Sequence, residues 1–135
     1  MKKVLVFGVF DGVHDGHLSF LKQARECGDY LIVAVAQDEV IQALKGRGPL
    51  KELKIRKQEV KDTKFVDEVI DGDTDLGSWG VIGKVKPNVI ALGYDQEGLR
   101  GVLERALKEK GLDIEIVVMG GYRPDKLHSS ILSQK

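Results

Sequence analysis

The chain has 135 residues, 42% of them hydrophobic and 31% charged, which is enough for one buried core and too few for two independent ones. Lysine and arginine number 21, as do aspartate and glutamate, and this balance argues against a wholesale nucleic-acid or anionic-membrane partner, leaving only a local phosphate site. No apolar run approaches the roughly 20 residues that span a bilayer, and one cysteine, Cys27, forms no internal disulfide and points to a reducing cytoplasm.

Met1-Lys2-Lys3 leads into a glycine-interrupted apolar stretch with no small-residue cleavage site, so no secretory signal is expected. Val4 to Phe10 is almost unbroken apolar sequence, the pattern of a strand covered on both faces in a parallel sheet. Similar runs follow at Tyr30 to Ala36, Phe65 to Ile70, Val89 to Leu92 and Ile114 to Met119. Helical spacing lies between them: Leu18, Leu21 and Ala24 before Gly28; Leu53, Lys57 and Val60; Leu99, Val102, Leu103, Ala106 and Leu107 before Gly111. Strand and helix therefore alternate, and right-handed crossovers turn that order into a single Rossmann-like α/β domain over residues 1–135. Its doubly wound sheet has about five parallel strands, helices on both faces and ligands at the carboxyl ends of the strands.

Charge is segregated along the chain. Lys45 to Lys64 holds eight basic residues against three acidic, and Val66 to Glu97 two basic against seven acidic. Most of these charges read as solvated faces. Lys45-Gly46-Arg47-Gly48-Pro49 reads differently, because two cations between flexible glycines suit a loop that closes over phosphate.

The chemistry concentrates in Gly8-Val9-Phe10-Asp11-Gly12-Val13-His14-Asp15-Gly16-His17, where a buried strand runs into a helix. Gly8 and Gly12 allow close approach of a ligand to the backbone, and Gly16 permits a tight helix entry. Amides at a helix N-terminus attract phosphate, and imidazoles three residues apart can project beside them towards one anion. Two histidines can also be surface or capping groups. A structural zinc would need more ligands than His128 and Cys27 supply. Magnesium carried by nucleotide phosphates, touched by Asp11 directly or through water, fits better.

This stretch resembles the G-x-F-D-x-x-H-x-G-H pattern of the cytidylyltransferase-like nucleotidyltransferases, matching every specified position. The resemblance extends over nearly the whole chain. It implies nucleotide contacts at Gly8, Val9, Phe10, Asp11, Asp15 and Gly16, with His14, His17 and Lys45 as the catalytic set. Asp38, Arg47 and Arg56 become acceptor contacts, although Arg56 also reads as a snorkelled surface side chain. Leu92-Gly93-Tyr94-Asp95-Gln96 is similar to the element that holds the nucleotide sugar or base, through Gly93 and Asp95. Tyr122, Arg123, Ser129 and Ser130 resemble the arginine and hydroxyl-rich turn that grip the triphosphate. His128 stands where a serine or threonine is usual there, and Ile131 where a basic residue is frequent.

Within the superfamily, Lys45-Gly46-Arg47 with Pro49, Gly93-Tyr94-Asp95-Gln96 and Leu127-His128-Ser129-Ser130 look most like the archaeal-type FAD synthases, which transfer AMP from ATP to FMN. The alternative, for which Trp79 and Arg123 match, is a small glycerol-3-phosphate cytidylyltransferase using CTP. A non-catalytic nucleotide-binding module and an FMN-binding protein are further alternatives. The resemblance also implies a divalent cation, Mg2+, and a homodimer. The reaction it implies is in-line attack by the acceptor's phosphate on the α-phosphorus of a nucleoside triphosphate, releasing pyrophosphate with no covalent intermediate.

Overall fold

The structure is a computed structural model that describes residues 1–73, 79–93, 96 and 98–119, with Leu44 and Lys45 described in backbone only. In chain order the elements are β1 (Lys3–Gly8), α1 (Asp15–Arg25), β2 (Tyr30–Val35), α2 (Asp38–Lys45), α3 (Leu53–Asp62), β3 (Glu68–Asp71), α4 (Gly80–Val85), β4 (Val89–Leu92), α5 (Gly98–Lys110) and β5 (Glu115–Val118). The strands pair in parallel in the order β3-β2-β1-β4-β5. Each apolar run of the sequence overlaps one of these strands. The central β1, β2 and β4 are mostly buried because a parallel strand flanked on both faces has no wet side to mark with polar residues, while the edge strands β3 and β5 carry exposed acidic residues.

Strand side chains alternate between faces, and this divides the core in two. Val4, Val6, Leu31, Val33, Val35, Val89 and Ala91 pack with Leu21 and Ala24 of α1 and Val60 of α3. Leu5, Ile32, Ala34, Ile90 and Leu92 pack with Val81 and Ile82 of α4 and Leu103 and Leu107 of α5. Helices therefore cover both faces. The chain builds outward from β1 through β2 to β3, then crosses back to β4 beside β1 and continues to β5. The order reverses between β1 and β4, and the crevice at their carboxyl ends is where such sheets bind ligands.

Two short helices were not foreseen in the sequence. In α2, Val40, Ile41, Ala43 and Leu44 recur at helical spacing, but over only eight residues, and Ile41 is the one buried residue among those whose side chains are described. The Gly-Val-Ile-Gly-Lys-Val sequence of α4 is poor in helix formers. Packing of Val81 and Ile82 decides it, and the Asp73 carboxylate accepts the Val81 amide at 3.1 Å to start the turn. Strand limits also shifted: β1 ends at Gly8 instead of Phe10, and Phe65 packs against the core ahead of β3.

Candidate active site

Beyond β1 the backbone turns sharply. Phe10 takes φ 52° and Gly12 φ 96°, and the Gly12 amide donates to the Phe10 carbonyl at 3.0 Å. The Phe10 ring folds back over Gly8, where a Cβ would lie 2.4 Å from it. This corrects the reading of Gly8: the space its missing side chain leaves holds Phe10, which is buried, and not a ligand.

His14 is the N-cap of α1, with extended backbone at φ −134°. Its Nδ1 accepts the Gly16 amide at 3.1 Å, and His17 Nδ1 accepts the His14 amide at 3.2 Å, a reciprocal capping box built from two imidazoles. The rings stack with centroids 3.9 Å apart and planes inclined by 29°, and Phe10 supports His17 at 5.1 Å between centroids. Because each Nδ1 accepts a backbone N–H, the neutral rings carry their protons on Nε2. His14 is exposed. Gly16 lies against the His14 ring, 2.9 Å from where a Cβ would sit. The Gly16 N–H is thus already bonded to the His14 imidazole.

Asp11 and Arg56 tie this turn to the segment before α3. Asp11 Oδ2 accepts the Leu50 amide at 2.7 Å and Oδ1 the Lys51 amide at 2.9 Å. The Leu50 bond, helped by the Lys51 bond and the nearby Arg56 and Arg47 charges, holds the Asp11 carboxyl below its ordinary range. Arg56 has no exposed surface. Its Nε donates to the Lys51 carbonyl at 2.8 Å, one terminal nitrogen donates to Val9 O at 2.9 Å and Ala36 O at 2.8 Å, and the other donates to Asp38 Oδ1 at 2.5 Å. The guanidinium joins the exits of β1 and β2, the start of α2 and the α3 entry.

At the β1/β4 crevice the Gly93 amide donates to Gln96 Oε1 at 2.9 Å, while Gln96 Nε2 donates to Phe7 O at 3.1 Å. One side-chain amide therefore adds a rung where the two strands part.

A profile of the Cytidylyltransferase-like family matches residues 5–135. The FAD synthase of Pyrococcus horikoshii is 40% identical over 134 residues, covering 98% of this chain and 90% of that one. The FAD synthase of Thermococcus sibiricus is 38% identical with the same coverage. The chain belongs to the cytidylyltransferase-like family. A solved relative, described as a lipopolysaccharide core biosynthesis protein from Thermoplasma volcanium, superimposes with TM-score 0.83 at 32% identity, over 91% of this chain and 99% of that one. Pantoate-beta-alanine ligase from Francisella tularensis shares the fold at TM-score 0.65 and 16% identity, over 90% of this chain and 60% of that one.

Within this cytidylyltransferase-like fold the β1–α1 turn gathers Val9, Phe10, Asp11, His14, Asp15, Gly16 and His17, with Asp15 exposed in the first turn of α1. Arg56 needs correcting: it is neither snorkelled nor presented to an acceptor, because its donors serve three backbone carbonyls and Asp38. Asp38 keeps 47% of its side chain exposed and remains open to a ligand. Arg47 is exposed, with its guanidinium 3.5 Å from Gly48 O. Lys45 ends α2, and its side chain lies outside the description. Asp95, Tyr122, Arg123, Ser129 and Ser130 also lie outside the described residues. Sequence reasoning did not single out Gln96, whose partner Phe7 lies 89 positions away.

Each Asp11 oxygen accepts one backbone amide and keeps a second lone pair, so a cation at this carboxylate would share it with the segment before α3. Among the described residues no group of three or more His, Cys, Asp or Glu is placed to hold a metal ion.

Proposed function

We propose that this nucleotidyltransferase moves AMP from ATP to FMN, giving FAD and pyrophosphate. The observation that carries the mechanism is the stacked imidazole pair, whose Nδ1 atoms are committed to the backbone. The chemistry follows from charge. An FMN phosphate oxygen is already ionised near neutral pH, so no strong base is required. It forms a bond to the α-phosphorus of ATP as the bond from that phosphorus to the bridging oxygen breaks, and pyrophosphate leaves with the electron pair. His14 and His17 supply Nε2–H donors to the α-phosphate and the bridging oxygen, where negative charge grows in the transition state. Donors pre-set by the capping box need no reorganisation at that moment.

Lys45, Arg123, Ser129 and Ser130 are assigned to the leaving pyrophosphate, Gly93 and Asp95 to the nucleoside, and Asp38 and Arg47 to the acceptor. A divalent cation, Mg2+ in this reading, would be held by the nucleotide phosphates and would neutralise part of their charge. A single domain over residues 1–135, a homodimer and a cytoplasmic location complete the reading. No described helix is long and apolar enough to cross a membrane. The support from relatives is consistent: the FAD synthase of Korarchaeum cryptofilum is 42% identical over 120 residues, 86% of this chain and 80% of that one.

The test is product analysis by chromatography with two substrate pairs. ATP with FMN should yield FAD and equimolar pyrophosphate, and CTP with glycerol 3-phosphate should yield nothing. Turnover of the second pair alone, or flavin and ATP binding without FAD, would overturn the assignment.

A further inference from the structure

The bonds around residues 50 and 51 carry an inference about how the site is assembled. The amides of Leu50 and Lys51 both point at Asp11, and the Lys51 carbonyl is held from another direction by Arg56 Nε. Arg56 also donates to Val9 O, so both clamps fasten to the turn that carries His14. At the opposite end of the segment, α2 stops at Gly46 in the left-handed conformation, φ 74°, and the Gly46 amide returns to Gln42 O at 2.9 Å. The stretch from Gly46 to Lys51 is thus a short strap fixed at both ends, with Arg47 exposed along it.

Each Asp11 oxygen already gives one of its two lone pairs to a backbone amide, so the fold itself orients the carboxylate towards the strap. We propose that Asp11 is a positioning residue. Its carboxylate anchors the Gly46–Lys51 strap to the β1–α1 turn, setting Arg47 beside the anion that the imidazoles receive while Lys51 stays paired with Glu59, and it does not ligate the cation that accompanies the nucleotide. This deepens the nucleotidyltransferase reading and rests on it for the identity of the anion. The anchor itself can be read without turnover.

Two variants of the full chain separate the roles. Asp11→Asn keeps the shape but turns one acceptor into a donor facing a backbone N–H. Leu50→Pro removes a donor and leaves the carboxylate intact. In Asp11→Asn, hydrogen exchange at Leu50 and Lys51 and tryptic cleavage after Arg47 should both rise about tenfold or more, on the scale of a lost charge-assisted hydrogen bond. The Leu18 amide of α1 should keep its protection. Both variants should raise KM for ATP several-fold, with the Mg2+ concentration for half-maximal rate unchanged. A tenfold shift in that Mg2+ requirement in Asp11→Asn alone, with the strap still protected, would overturn the proposal. If the wild-type chain makes no FAD, the function reading fails, and exchange and proteolysis still decide the anchor.

Discussion

Replacing Arg56 with alanine should be among the most damaging single changes away from the imidazoles. The side chain is wholly buried and bonds the carbonyls of Val9, Ala36 and Lys51 at 2.8–2.9 Å. Removing it leaves three part-buried carbonyl acceptors without their donor and opens a cavity where the side chain was. Each stranded group costs about 1–3 kcal/mol, and such losses add incompletely. Asp38 contributes little to the penalty, since its side chain is 47% exposed and can rehydrate. The expected loss is about 4 kcal/mol from the three carbonyls and the cavity, against a total stability of about 5–15 kcal/mol. Arg56→Lys keeps the charge but not the planar fork, and should lose about 2 kcal/mol. Urea unfolding measures both, and with a slope of about 2 kcal/mol per molar the alanine midpoint should fall by about 2 M. A loss under about 1 kcal/mol for Arg56→Ala would refute the claim that this guanidinium holds the site's supporting loops together.

The two histidine roles can be separated with His14→Asn: asparagine is a good N-cap, so stability should hold while the transfer rate falls by about 10² to 10³ through loss of the Nε2 donor. Gly8→Ala should cost about 1–3 kcal/mol by overpacking, because its Cβ falls 2.4 Å from the Phe10 ring. It should also raise KM for ATP, since Phe10 supports His17; unchanged melting and kinetics would show that the ring has room to move. The Asp11 carboxyl is held below its ordinary value of 3.8, chiefly by the Leu50 amide. The sign of its linkage follows: the folded carboxyl binds its proton less readily than the unfolded one, so its contribution is complete above the ordinary value and disappears as pH falls through the lower folded one. The Leu50 and Lys51 amide signals should therefore titrate together in NMR with a midpoint below 3.8, and a midpoint at or above that value would contradict the double hydrogen bond.

What the sequence disclosed depended on the range of the interactions involved. β1, β2 and β4 were legible because strands buried on both faces write themselves as apolar runs, and the imidazole turn was legible because its residues are contiguous. α4 was not, because two glycines and two valines in six residues carry no helical preference and only packing against Leu5, Ile32 and Ile90 selects the helix. The Arg56 network was also hidden. Its partners Val9 and Ala36 lie 47 and 20 positions away, and no local spacing distinguishes a buried arginine from a solvated one on a basic segment. Asp11 shows the same limit from the other side: a carboxylate beside a phosphate motif suggests a metal, and only the fold reveals the two amides that reach it.

The account depends most on both imidazoles meeting one anion, and nitrogen-15 NMR of histidine-labelled protein titrated with ATP and Mg2+ tests this directly. The Nε2 signals of His14 and His17 should shift together along one binding curve, with the Nδ1 atoms remaining unprotonated acceptors. ATP binding that moves only one ring, or neither, would contradict the account.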